Sequence, residues 1–100
     1  MLVHQLYSGS PTGDVTGSNV NMNVNKTRTG LVQVRESAGG TSTIDIQGSL
    51  SGDTNEFVTV KTFSITTSTN EAAVVTLFPY MRVKISGVSS TPTTKVLIGE

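Results

Sequence analysis

The order of apolar and polar residues along this chain alternates with a period of two and almost nowhere with a period of 3.6. Val20, Met22 and Val24 alternate with Asn19, Asn21, Asn23 and Asn25. Leu31–Glu36 puts Val32 and Val34 on one face against Gln33 and Arg35, and Ile44, Ile46, Gly48 and Leu50 alternate with Asp45, Gln47 and Ser49. Residues 57–63 oppose Val58 and Val60 to Thr59 and Lys61, but both Phe57 and Phe63 fall on the Thr59 side, which leaves the buried face open. Ala73–Phe78 is an apolar run broken only by Thr76, the pattern of a strand covered on both faces. Tyr80–Ser86 sets Met81, Val83 and Ile85 against Tyr80, Arg82, Lys84 and Ser86, and Lys95–Ile98 closes the series. Strict alternation is the signature of half-buried strands. About seven such runs at regular spacing predict an all-β protein, an antiparallel β-sandwich or jelly-roll-like body.

Punctuation supports this division. Gly39-Gly40, Ser51-Gly52-Asp53, Ser68-Thr69-Asn70 and the stretch from Gly87 to Pro92 are turn formers. Pro79 stands between two strand-like runs and marks a bend, an edge or a change of sheet, since it has no amide proton for the ladder. Ser8–Gly13 is rich in turn residues, so residues 1–13 are expected to form a flexible N-terminal arm and residues 14–100 a single domain.

Composition strengthens the strand reading. Among 100 residues there are 16 Thr, 12 Ser and 13 Val, and only 14% are charged. β-Branched side chains suit a pleated surface. Seven basic residues balance seven acidic ones, which argues against holding a nucleic acid by charge alone. The absence of Cys excludes disulfides, Cys-ligated zinc and a thiol nucleophile. No apolar run approaches a membrane span. Met1–Tyr7 lacks the regions of a secretory signal, so the expected place of synthesis is a cytosol.

Candidate chemistry is sparse. His4 is the one histidine and falls in the expected arm, where no carboxylate and nucleophile are in prospect to complete a triad. Ser51–Glu56 holds Asp53 and Glu56 within one turn; oxygen ligation of calcium is conceivable there, but EF-hand spacing is absent and Asp and Asn are ordinary turn residues. Asn25-Lys26-Thr27 matches a glycosylation acceptor pattern. Five aromatics and no Trp make a poor stacking platform. The expectation is a protein that is not an enzyme and uses no cofactor or metal.

Ile44–Val60, reading IDIQGSLSGDTNEFVTV, followed by Val75–Ile85, reading VTLFPYMRVKI, resembles small virion structural proteins of tailed bacteriophages over roughly residues 30–100. That resemblance implies a β-sandwich that decorates and stabilises a capsid by binding the major capsid protein or other virion proteins, located on the virion and assembled in the host cytoplasm. A homotrimer is one arrangement it implies. The expected contacts are Leu2, Val3, Leu6 and Tyr7 of the arm, with Asn21, Asn23, Lys26, Arg28 and Arg82 on strand faces. A turn before Phe57 and the later Tyr80-Met81-Arg82 are also similar to discoidin-like carbohydrate-binding sandwiches. This implies the alternative of a glycan-binding or adhesion module on a tail or head fibre, using Asn19, Asn21, Asn23, Asn25, Tyr80 and Arg82.

Overall fold

A computed structural model describes residues 2–24 and 28–100 and is all-β, with two antiparallel sheets packed face to face. In chain order the strands are β1 (Val3–Gly9), β2 (Val15–Thr16), β3 (Val20–Asn21), β4 (Arg28–Glu36), β5 (Thr41–Ser49), β6 (Val58–Ile65), β7 (Thr69–Leu77), β8 (Tyr80–Ser89) and β9 (Thr94–Gly99). The first sheet runs β1-β9-β4-β7. The second runs β2-β8-β5-β6, with β3 also on β8. The shortest extent is 17 Å, in keeping with two stacked sheets roughly 10 Å apart.

The core is the set of inward positions that alternation marks. Val32 and Val34 of β4, Ile44 and Ile46 of β5, Met81, Val83 and Ile85 of β8, and Val96 and Ile98 of β9 are fully buried. Register explains why they meet: Ile44 stands opposite both Phe63 and Ile85, and Val34 opposite Val96. Gly48 lies on the same inward row, and a Cβ there would overlap the Phe78 ring. Glycine at this point makes room for the Phe78 ring.

Several expectations change. Residues 3–9 are not an arm: they form β1, antiparallel to β9, with Leu6 in the core and Tyr7 packed against it. Of the turn-forming residues Ser8–Gly13, only the part after Gly9 leaves the sheet. Residues 19–24 do not make one strand. Pairing stops after Asn21, and Asn23 takes a left-handed φ of 55°, which asparagine accepts more readily than most residues. Met22 and Val24 still reach the core. Asn25, Lys26 and Thr27 lie outside the described residues.

The ambiguity over residues 57–63 is resolved by a bulge. Ile46 pairs with Lys61 but Gln47 pairs with Thr59, so Val60 is an extra residue on β6. One inserted residue reverses which parity faces inward: Phe63 and Ile65 are buried after the bulge, whereas before it Val58 stands opposite Gly48 of the inward row and Thr59 opposite Gln47 of the outer one. β7, expected to be covered on both sides, is an edge strand whose Val74 is 69% exposed. Pro79 marks a change of sheet, between β7 of the first and β8 of the second.

Candidate functional site: the outer face of the first sheet

The outward side chains of the first sheet fall into three rungs, fixed by register. Val3, Gly99, Leu31 and Val74 form the first. Gln5, Leu97, Gln33 and Ala72 form the second, and Ser8, Lys95, Arg35 and Asn70 the third. Val3 is 54% exposed and Leu31 45%, and a shallow apolar depression lies between Val3, Leu31, Gln33, Leu97 and Gly99. Exposed Leu2 continues the apolar end from the start of β1.

The third rung is electrostatically unusual. Arg35 and Lys95 stand directly opposite one another, and like charges so placed repel. Both are exposed and both line a depression with Gln33, Asn70 and Leu97 that contains no acidic side chain. Among the described residues, the ion pairs present involve neither of them. The face therefore joins an apolar end to a cationic end, with the first and third rungs about 13 Å apart by strand rise.

On the outer face of the second sheet, one end is occupied by contacts within the chain. Arg82 is only 8% exposed. Its Nε donates to Gln47 Oε1 at 2.8 Å, and its guanidinium lies 3.9 Å from the centre of the Phe57 ring. Its Nη2 also donates to the Thr54 carbonyl oxygen at 3.5 Å. These contacts hold the 50–57 segment against β8, a cation–π arrangement without a carboxylate. Beside it, Gln47 donates to Thr59 Oγ1 and Thr62 donates to Asp45 Oδ1.

The segment 50–57 is a capped turn. A 3-10 helix spans Thr54–Glu56, Asp53 Oδ1 accepts from the Asn55 amide, and the Ser51 hydroxyl donates to Glu56. Among the described residues no group of three or more His, Cys, Asp or Glu side chains converges as metal ligands would. No helix among them is long and apolar enough to cross a membrane.

The residues singled out from sequence are scattered. Leu2 and Val3 are exposed at the apolar end of the first sheet. Leu6 is buried and Tyr7 half-buried, so neither is an anchor free to reach a partner; inward alternation in β1 commits Leu6 to the core. Asn21 and Asn23 are exposed, but the Asn21 side chain accepts the Asn23 amide at 2.9 Å, and Asn19 donates to the Gly52 carbonyl oxygen. Arg82 is the clearest correction: its buried guanidinium is a packing element. Tyr80 is half-buried beside Gly52, so the row considered for a glycan is largely occupied with local contacts. Lys26 lies outside the described residues.

His4, in β1 rather than in an arm, has a carboxylate partner. Its Nε2 lies 3.0 Å from Glu100 Oε2, and Arg28 donates to Glu100 Oε1 at 3.3 Å. The Glu100 amide also donates to the Leu2 carbonyl oxygen at 3.0 Å. The cluster ties β1, β4 and the residue following β9 together. Sequence reasoning missed the cluster because its members are up to 96 positions apart. It missed the outer face for the same reason: Leu31 and Leu97 become neighbours only through pairing of β4 with β9.

No family model, curated protein or solved structure matches this chain.

Proposed function

We propose that the protein is a virion structural protein of a tailed bacteriophage. In this reading it decorates and stabilises the capsid by seating the outer face of its first sheet on the shell protein. The observation that carries the docking surface is the coexistence of Leu31, Leu97 and Val3 with the opposed Arg35 and Lys95 on one unpartnered face. A partner with an apolar spot and carboxylates about 13 Å away would bury the first and relieve the repulsion in the second. A nucleic acid is a poorer fit, because two cations on a neutral chain offer little phosphate neutralisation.

We further infer that the two-sheet body is a jelly-roll sandwich. Support comes from strand order. With β2 and β3 taken as one interrupted strand there are eight strand positions, ordered 1-9-4-7 against 2/3-8-5-6. Two nested Greek keys produce this order, an architecture shared by viral capsid and lectin domains and by cupins. Such sharing supports the architecture more than any one role, so the function rests on the face.

The test is co-sedimentation of the purified chain with shells assembled from the capsid protein encoded in the same genome. The wild-type chain is expected in the shell pellet. The double variant Leu31→Asp, Arg35→Glu, both at exposed positions, is expected to bind at least about tenfold more weakly. A wild-type chain that stays in the supernatant overturns the capsid reading; a double variant that binds like wild type overturns the assignment of this face.

A further inference from the structure

The two sheets expose four strand edges, and three are guarded in ways that proteins use to prevent unwanted pairing. β1 has a register shift between Gln5 and Tyr7 that disrupts its ladder. β2 and β3 are two-residue pieces, too short to template a strand. β6 carries the Val60 bulge with Lys61 beside it at mid-strand. Among the described residues, β7 alone has none of these devices. It is nine residues long, pairs with β4 without any register shift, and contains no Pro, Gly, Lys or Arg. Its single charge is Glu71, and Ala72–Leu77 is a six-residue stretch without charge. Its far side presents the backbone donors and acceptors of an unpaired edge.

We propose that β7 is a self-association edge, at which two copies of this chain pair antiparallel across a two-fold axis near Ala73 and Val74. The first sheets of the two copies would then join as one eight-stranded sheet. The choice of a second copy as occupant follows from the residues themselves. A two-fold axis requires antiparallel pairing of a strand with itself and a self-complementary surface. With the axis near mid-strand, Val74 meets Val74 or Ala72 of the other copy, continuing the apolar rung that already runs through Leu31. The two Glu71 carboxylates are carried to opposite ends of the pair, roughly 14–20 Å apart along the strands, where their repulsion is weak. A face-to-face dimer through the outer surface lacks this complementarity, because Arg35 and Lys95 find no acidic side chain on that face of the other copy. The inference is independent of what the outer face binds.

The test is sedimentation velocity of the full chain across a concentration series, with amide hydrogen exchange on the same samples. A dimer of about twice 10.5 kDa is expected. In an unpaired edge strand every second amide points to solvent, so exchange along β7 alternates; in the dimer all the amides across the pair become protected, and the protection grows with concentration. Val74→Lys leaves the core untouched, since Val74 is an exposed outward residue, and brings two cations together at the axis. It is expected to yield a folded monomer with the alternating pattern restored. A wild-type monomer at every concentration, a trimer, an aggregate of no fixed size, or a dimer with alternating β7 exchange would each overturn the proposal.

Discussion

Glu36 shows how much one side chain can organise. It ends β4, is almost completely buried, and its carboxylate accepts amide hydrogen bonds from Ala38, Gly39 and Gly40 at 2.8–3.1 Å. Burial pushes its pKa upward, but the hydrogen bonds from Ala38, Gly39, Gly40 and Thr93 together outweigh that and hold it below the ordinary 4.5. A carboxyl depressed in the folded state adds stability that is fully present above its unfolded value and is lost as pH falls through the folded value. Acid melting of the wild type should therefore steepen below about pH 4.5. Glu36→Gln, which places amide donors against amide donors, should cost about 2 kcal/mol at neutral pH and flatten that acid limb. Thermal melts of both chains from pH 2 to 7 check this; parallel acid limbs would remove Glu36 as their source. In the sequence Glu36 stands only as the last residue of the run Leu31–Glu36. Its role became visible once the Ser37–Gly40 turn folded back over it.

Among elements, β1 is the most instructive. Val3 and Gln5 face outward, the register slips between Gln5 and Tyr7, and Leu6 turns into the core; the turn formers of Ser8–Gly13 mask this strand in the local pattern. In the folded chain it covers β9 and contributes Leu6 to the core. Removing residues 2–9 should therefore cost at least about 2 kcal/mol from Leu6 alone, besides the strand pairing with β9, and leave β9 as a new edge. Urea denaturation of the truncated chain should show a lowered midpoint or no cooperative transition. A midpoint equal to that of the full chain would mean that β1 is dispensable. The Val60 bulge is the companion case: alternation identified β6 but not its buried face, because a single inserted residue inverts parity without any mark in composition.

At the scale of the whole molecule, pairing is dominated by distant partners. Val3 pairs with Gly99, and β2 and β3 pair with β8 about sixty to seventy residues later. Loop closure must precede nearly every long-range contact, so refolding should fall in the millisecond-to-second range typical of all-β domains. Stopped-flow refolding measures it directly, and a microsecond phase carrying the full amplitude would contradict this account. The same long-range pairing assembles the outer face, where residues from β1, β4, β7 and β9 stand side by side.

What the sequence determined by itself was local. Alternation set the strands and most of the core, and the turn residues set the breaks, because side-chain periodicity and backbone preference are properties of neighbouring residues. Val32, Val34, Ile44, Ile46, Met81, Val83 and Ile85 were all legible in this way. Tertiary structure alone decided which strands lie side by side, where register slips, and which exposed residues become a surface. It turned His4 from an isolated side chain into a partner of Glu100, and Arg82 from a surface cation into a buried one under Phe57. It also set Arg35 against Lys95 and left one edge of β7 unpaired. These relations depend on pairings between residues tens of positions apart, and local pattern carries no record of them.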